Sequence, residues 1–190
     1  PSLYVSRDTS YVSLLATLID DMASNDINAI TGSNALQAAV FETDAIRPVL
    51  QSFDLNMDSG VLVLKFVETV NVSSLVVSEI TLQSLSDTTT RHTLSGGSAV
   101  SLVPQTDVAI VLTVADMNEL KRREIANQAA TAWLTLTENA IRDMTGLKVI
   151  ARVNGLSALG VSNYTADTTR PELTSFDLSM DSRLLSLTFS

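Results

Sequence analysis

The chain has 190 residues, no cysteine and a formal net charge of −9. The lack of thiols excludes disulfide bonds and thiolate metal sites, and the acidic balance disfavours nucleic acid and anionic membrane surfaces as partners. No apolar run approaches the roughly 18 residues that a membrane-spanning helix needs, so we expect no direct membrane insertion.

The chain repeats itself. Residues 47–67 read RPVLQSFDLNMDSGVLVLKFV and residues 170–190 read RPELTSFDLSMDSRLLSLTFS, so 13 of 21 positions are identical at an offset of 123 residues. Unrelated sequences of average composition would share about one or two of them. The similarity continues upstream, where residues 11–29 match 133–151 at an offset of 122, and 30–47 match 153–170 at an offset of 123.

A period of about 123 residues divides the chain into three parts. Residues 1–47 are interpreted as the C-terminal half of one repeat, 48–170 as a complete repeat and 171–190 as the N-terminal hairpin of the next. A repeat of this length can bury its own core. Tandem repetition points to a structural role, so we predict that the protein is not an enzyme.

The complete repeat is predicted to consist mainly of strands. Two runs with alternating apolar residues flank Asp58-Ser59-Gly60, which is a hairpin pattern. The apolar positions of the two runs are Phe53, Leu55, Met57, Leu62, Leu64 and Phe66. Further strands are predicted at residues 75–85, 108–114, 132–137, 148–153 and 158–164.

One short helix is predicted near residues 116–124. Asp116 followed by Glu119 is a capping-box pattern, and Lys121-Arg122-Arg123 is expected to pair with Glu119 and Glu124. About seven short strands with frequent turns favour an all-β Greek-key sandwich. Its predicted core comprises the six apolar hairpin residues together with Ile110, Leu112, Leu136, and Trp133 or its neighbours.

Three short motifs carry a family resemblance. They are the junction Asp167-Thr168-Thr169-Arg170-Pro171, the strand end Phe66-Val67-Glu68-Thr69-Val70, and the turn Asp143-Met144-Thr145-Gly146-Leu147-Lys148-Val149. The chain resembles the tandem immunoglobulin-like domains, of the bacterial type, of extracellular surface and stalk proteins. It is also similar to the repeat subunits of glycosylated surface fibrils. The resemblance implies an immunoglobulin-like sandwich at the cell surface and brings no catalytic residues with it.

The junctions have a physical meaning of their own. Proline fixes φ and biases the preceding residue towards extended backbone, so Arg47-Pro48 and Arg170-Pro171 are candidate inter-domain joints. Joints with one fixed angle would generate a rod or a helical assembly. The alternative is that each proline simply opens an edge strand.

Candidate glycosylation sites are scattered along the chain. Asn71-Val72-Ser73 and Asn163-Tyr164-Thr165 are acceptor triplets for N-linked sugars. Serine and threonine together contribute 44 residues, which suits a glycosylated coat. The candidate O-linked positions, for which ordinary loop or strand threonine is the alternative, are Thr88, Thr89, Thr90, Thr168 and Thr169.

Calcium is the one candidate metal. Asp44 and Asp167 flank the junctions, and Asp58 and Asp181 occupy equivalent hairpin turns; oxygens from such a set could bind Ca²⁺. The alternative is that the turn aspartates accept local backbone hydrogen bonds. The only histidine, His92, lacks a nucleophile motif around it and is interpreted as a solvated loop residue rather than a catalytic one. No other cofactor is expected.

These patterns favour a structural subunit of an extracellular filament or stalk, joined to itself head to tail. The alternatives are an adhesin array on a cell surface and an ancillary immunoglobulin-like module of a secreted carbohydrate-active enzyme. Units could join covalently in a longer polypeptide or by strand donation between subunits. Residues 1–47 and 171–190 together span about 67 residues of a 123-residue period, which favours the covalent connection.

Overall fold

The computed structural model describes residues 6–189, and the chain divides into two compact units, Pro1–Ile46 and Arg47–Ser190. The described residues form short strands, six 3-10 helices and one α-helix. The all-β class predicted from the sequence is therefore confirmed, with the helix as a minor element.

The N-terminal unit is mostly loop. Its strands β1 (Tyr11–Val12) and β2 (Leu36–Gln37) pair antiparallel, and 3-10 helices lie at Arg7–Thr9, Ala16–Leu18 and Gly32–Asn34. Among residues 6–46 only Ser10 is buried. Its apolar side chains are consequently left at the surface, including Leu15, Ile19 and Leu36.

The second unit begins with a long hairpin. Strands β3 (Leu50–Asn56) and β4 (Val61–Asn71) pair antiparallel, and Gly60 closes the turn with φ +68°, a value that glycine adopts without strain. Alternate residues of both strands are buried because side chains of a strand point to opposite faces in turn. The alternation predicted from the sequence places these side chains correctly.

Two sheets are built around this hairpin. The first has the order β12-β3-β4-β8-β7, with β10 also paired to β4, and only β12 runs parallel to its neighbour, β3. The second has the order β11-β9-β5-β6 and is antiparallel throughout. The remaining strands of the two sheets are β5 (Ile80–Gln83), β6 (Arg91–Thr93), β7 (Ser98–Ala99), β8 (Gln105–Val111), β9 (Trp133–Leu136), β10 (Arg142–Asp143), β11 (Leu159–Gly160) and β12 (Asn163–Thr165).

Side chains from both sheets form one core, which makes the unit sandwich-like. All nine firmly predicted core residues are buried, whereas Trp133 is only half-buried and its neighbour Leu134 is completely buried. The first sheet contributes, among others, Phe53, Leu55, Leu62, Leu64, Val108 and Ile110, and the second contributes Ile80, Leu82, Leu134 and Leu136.

Several predicted strand bounds were wrong. Residues 75–79 enter no strand, because 3-10 helices at Val72–Ser74 and Val77–Glu79 precede β5. Residues 148–153 form only isolated bridges, at Lys148 and Arg152. Period-2 patterns identify apolar faces, but they do not show where backbone pairing stops.

The predicted bounds of the α-helix, residues 116–124, were also shifted. Helix α1 spans Val114–Arg122, and its N-cap is Thr113, whose Oγ1 accepts the Asp116 backbone N–H at 3.0 Å. Asp116 is therefore the third helical residue and not the cap. Thr113 and Asp116 have the same spacing as the predicted Asp116–Glu119 pair and lie three residues earlier in the chain. A further 3-10 helix, Ala129–Thr131, precedes β9.

The C-terminal segment is a second hairpin, β13 (Leu173–Ser179) and β14 (Leu184–Phe189). Every residue of both strands is exposed. In the β3–β4 hairpin, by contrast, alternate side chains are buried.

We expect Phe53→Ala to lower the free energy of unfolding by about 3–5 kcal/mol, because it empties a completely buried site. Phe176→Ala, at a site 63% exposed, is the matched control and should change it by no more than about 0.5 kcal/mol. Urea unfolding followed by the fluorescence of Trp133, the only tryptophan, measures both. Equal losses from the two substitutions would contradict the core placement.

Candidate functional site

The candidate site lies at the two ends of the predicted complete repeat, at residues 47–48 and 167–169. At its beginning, the Arg47 guanidinium donates from Nε to the Lys148 carbonyl at 2.8 Å and from Nη2 to the Val149 carbonyl at 2.8 Å. Pro48 is buried, and its carbonyl accepts the Ile150 N–H at 2.9 Å. The predicted junction residues Arg47 and Pro48 are thus bound to the body of their own unit.

The end of the complete repeat is bound to the β3–β4 turn. Asp58 Oδ1 accepts the Thr168 N–H at 3.0 Å, the Thr168 hydroxyl at 3.2 Å and the Thr169 hydroxyl at 3.0 Å. The Thr168 backbone bond, followed by the two hydroxyls, holds the pKa of Asp58 below its usual range. The turn aspartate therefore fixes the two residues that precede Arg170-Pro171.

A second contact holds the same segment to helix α1. Lys121 Nζ lies 2.6 Å from Asp167 Oδ2, and Asp167 Oδ1 accepts the Thr169 N–H at 3.0 Å. The Lys121 hydrogen bond is the main reason why the pKa of Asp167 lies below its usual range. Lys121 was predicted to pair with neighbouring glutamates; instead only Arg122 and Arg123 do so, both with Glu119.

The four aspartates considered for calcium occupy different places. Asp58 and Asp167 both bond Thr169, and their carboxylates are engaged by threonine donors and by Lys121. Asp44 belongs to the N-terminal unit, where its Oδ1 accepts the Ile46 N–H at 2.9 Å. Asp181 is exposed in the β13–β14 turn. The observed contacts of Asp44, Asp58 and Asp167 are those of turn aspartates.

The β13–β14 hairpin presents an apolar face. Cross-strand pairs Phe176–Leu187 and Leu178–Leu185 alternate with the polar pair Asp177–Ser186. The apolar face consists of six side chains that are each 50–78% exposed, namely Phe176, Leu178, Met180, Leu185, Leu187 and Phe189. These six side chains are therefore exposed together on one face of the hairpin.

The N-terminal unit contains an apolar groove of about 570 Å³. It lies along the paired strands β1 and β2 and continues past the end of β2 to Phe41. Its lining residues are Ser10, Tyr11, Val12, Leu36, Gln37, Ala38, Ala39 and Phe41. The groove is therefore an apolar surface beside the two-stranded β1–β2 sheet.

The two candidate N-glycosylation sites differ in accessibility. Asn163 is exposed on the edge strand β12, and its Nδ2 donates to Asp54 Oδ1 at 2.9 Å. Asn71 is half-buried at the end of β4, where its Oδ1 accepts the Ser73 N–H at 3.2 Å. The geometry therefore offers Asn163 more readily than Asn71 to a modifying enzyme.

The candidate O-linked threonines also fall into two groups. Thr89 and Thr90 are exposed in the loop between β5 and β6, and Thr88 is half-buried beside Asn154, whose Oδ1 accepts its N–H at 3.2 Å. Thr168 and Thr169 are exposed, but both hydroxyls donate to Asp58. A sugar on either residue would compete with the contact that holds the end of the unit.

His92 was placed wrongly by the sequence analysis. It lies in β6, not in a solvated loop, and its Nε2 is 2.8 Å from Oδ1 of the buried Asp116. Burial disfavours the charged form of Asp116, but hydrogen bonds involving His92, Ser95 and Thr113 outweigh it and lower its pKa. The pair ties helix α1 to the second sheet across 24 residues of sequence.

Comparison of the chain with protein-family models, with curated proteins and with solved structures gave no match. Within residues 6–189, no helix has the length and apolar character needed to cross a membrane.

Asp58→Ala should release the end of the unit. We expect the Thr168 amide to exchange with solvent faster, on the order of tenfold, since it loses one ordinary hydrogen bond. Hydrogen exchange measured by NMR tests this, with Asp181→Ala in the exposed turn as the control. An unchanged Thr168 exchange rate would show that Asp58 does not hold the junction.

Asp116→Ala should lower the free energy of unfolding at pH 7 by about 1–3 kcal/mol, because it leaves the Ser95 N–H and Thr113 without their partner. The lowered pKa of Asp116 means that its carboxylate stabilises the fold fully above its ordinary pKa of 3.8, and that this contribution is lost as pH falls through the folded value. The difference from wild type should therefore shrink in acid. Urea unfolding at pH 7 and at pH 3 measures it, and Asp107→Ala, an exposed site, should show neither effect.

Proposed function

We propose that the protein is the structural repeat subunit of an extracellular glycosylated filament or stalk, built from immunoglobulin-like Greek-key units joined head to tail. The observation that carries the proposal is a recurrence of backbone hydrogen bonds. Segments that are 122 or 123 residues apart form several of the same backbone hydrogen bonds, although the two hairpins differ in burial.

The two hairpins are the first instance. In both, the strand register shifts at the same place, between Leu50 and Ser52 in β3 and between Leu173 and Ser175 in β13. Both turns end on a residue with positive φ, +68° at Gly60 and +56° at Arg183. An arginine in this conformation is strained, so its presence there supports a common template rather than a local preference.

The N-terminal unit and the second half of the complete unit give the next instance. The bridge Leu14–Ile30 resembles the bridge Leu136–Arg152, with reciprocal N–H···O bonds of 2.8–3.0 Å in both, although Ile30 aligns with Val153, one residue beyond Arg152. The β1–β2 register corresponds to that of β9–β11, since Tyr11 faces Gln37 as Trp133 faces Gly160. The β1–β2 register therefore agrees with its sequence equivalent in pairing as well as in sequence.

The aspartate turn recurs in detail. Asp21 Oδ1 accepts the N–H groups two and four residues later at 2.8 and 2.9 Å, and Asp143 Oδ1 does the same at 2.8 and 2.8 Å. The residue three positions on has positive φ in both, +62° at Ser24 and +95° at Gly146. Serine occupies a conformation that favours glycine, which again supports a shared template.

The junction supports a stiff head-to-tail connection. The Arg47 end and the Asp58 end of the complete unit lie at opposite ends of β3, about 23 Å apart for seven residues of strand. Thr169 is bonded to the finished unit, and the next residue, Arg170, is the sequence equivalent of the anchored Arg47. Units joined in this way have no free linker, and a contact that does not close on itself generates an open filament.

The extracellular assignment is supported by composition and by accessibility. Serine and threonine contribute 44 residues and the net charge is −9. Asn163 and Thr165 of one acceptor triplet are exposed on an edge strand. These features fit a hydrated, sugar-bearing coat.

Electron microscopy of the native material tests the assembly. We expect thin, unbranched filaments with a regular axial repeat, because every unit meets the next through the same short junction. Compact separate particles in native material would contradict the proposal.

Mass spectrometry tests the modification. Material secreted by a eukaryotic host should lose mass on enzymatic removal of N-linked sugars, and Asn163→Gln should remove more of that mass than Asn71→Gln because Asn163 is the more exposed. Asn139→Gln, outside any acceptor triplet, is the control. An unchanged mass in the wild-type protein would contradict the glycosylated coat.

A further inference from the structure

We propose that the pair Asn154-Gly155 is a site of spontaneous deamidation, that the folded second unit keeps this site closed, and that the modified residue leaves the loop between β5 and β6 open. The pair is the only Asn-Gly dipeptide of the chain. In such a dipeptide the attacking backbone nitrogen has no side chain beside it, so the reaction meets little steric hindrance. The inference goes beyond the proposed function and does not depend on it.

The reaction needs no enzyme. The backbone nitrogen of Gly155 attacks Cγ of Asn154, the new N–Cγ bond forms, and the Cγ–Nδ2 bond breaks. Ammonia leaves with the proton that the Gly155 nitrogen loses. Water then opens the resulting succinimide at one of its two carbonyls and yields aspartate or isoaspartate. The attack therefore requires that the Gly155 nitrogen can lose its proton and that the Asn154 side chain can swing towards it.

The Asn154 side chain is held by the loop between β5 and β6, residues 84–90, and by the end of β5. Its Oδ1 accepts Gln83 Nε2–H at 2.8 Å and the Thr88 backbone N–H at 3.2 Å. Its Nδ2 donates to the Thr88 carbonyl at 3.2 Å and to Asp87 Oδ1 at 3.4 Å. Gln83 is completely buried, so one of these partners belongs to the core and not to the loop. Both polar atoms next to Cγ are thus engaged.

The attacking nitrogen is engaged as well. The Gly155 N–H donates to the Ser86 carbonyl at 2.9 Å. A hydrogen-bonded backbone amide gives up its proton only when the bond opens. Both requirements for the attack therefore fail in the folded unit, and the reaction has to wait until the 84–90 loop separates from the turn at residues 154–157.

Glycine is required at position 155. Its φ is +73°, and a Cβ atom there would lie 3.0 Å from Asp87 Cγ. The equivalent pair in the N-terminal unit is Thr31-Gly32, in which Gly32 also has a positive φ of +55°. The turn thus uses glycine in both copies, whereas asparagine before it occurs only in the second. The labile dipeptide arises because this turn is combined with the hydrogen bonds of Asn154.

The product does not restore the original contacts. In an aspartate at position 154, an oxygen takes the place of Nδ2 and faces two acceptors, the Thr88 carbonyl and the Asp87 carboxylate. Two hydrogen bonds are lost, and two carboxylates repel each other across the gap. An isoaspartate also lengthens the backbone, which displaces the bonds of Oδ1. An opening that lasts long enough for the reaction therefore becomes permanent.

Peptide mapping by mass spectrometry follows the reaction through the mass gained when the side-chain NH₂ becomes OH. We expect deamidation at Asn154 to be at least about a hundredfold slower in the folded full chain than in concentrated urea at the same mildly alkaline pH, because several hydrogen bonds must open together. Hydrogen exchange of the Gly155 amide should be slowed by the same factor, within about threefold, since one opening controls both. Asn154→Thr, which copies Thr31, should abolish the mass gain.

The variant Asn154→Asp tests the permanent opening, and Asn139→Asp, at an exposed site, is the matched control for the added charge. NMR-detected exchange of the Gly155 amide at pH 7 should be about tenfold faster in the first variant and unchanged in the second. Equal deamidation rates in the folded and unfolded chain, or an unprotected Gly155 amide, would overturn the closed site. Equal Gly155 exchange in the two variants would overturn the permanent opening.

Discussion

The sandwich of the second unit depends on one constraint: a hairpin with an apolar face is stabilised in water when that face is covered. Strand β4 pairs with β3, β8 and β10, and the second sheet closes over the face that these strands share. The capping of helix α1, the His92–Asp116 pair and the junction contacts are arranged around this covered hairpin. The β13–β14 hairpin has the same apolar pattern, but its apolar face is exposed.

The sequence predicted the apolar faces better than the backbone pairing. Alternation identified Phe53, Leu64 and Ile110 as core residues because side-chain direction in a strand has a strict period of two. It could not show that residues 148–153 form only bridges, since the length of a ladder depends on which strand lies beside it. Helix α1 was displaced because two overlapping capping patterns were present, and the earlier one, at Thr113, fits the strand that ends at Val111.

The candidate site was predictable where it is local in sequence. The prolines and the turn aspartates could be read from short motifs, whereas their partners could not. Lys121 pairs with Asp167 and not with nearby glutamates, and Asp58 bonds residues 110 positions later. Contacts across such separations are set by the folded topology, for which a single sequence gives no distance information. The same reason explains why His92 was assigned to a loop.

The parallel pairing of β12 with β3 also sets an order of events during synthesis. The pair Asp54–Asn163 spans 109 residues, so a ribosome adding about 5–20 residues per second leaves the edge of β3 uncovered for on the order of ten seconds. Strand β12 emerges after its own hairpin and directly before the hairpin at Leu173–Phe189. Vectorial translation therefore presents β12 to the β3–β4 hairpin before the second hairpin has been made. In the proposed tandem array, denaturation would offer every closing strand several near-identical hairpins at once, and exchange between neighbouring units would be the main route of misfolding.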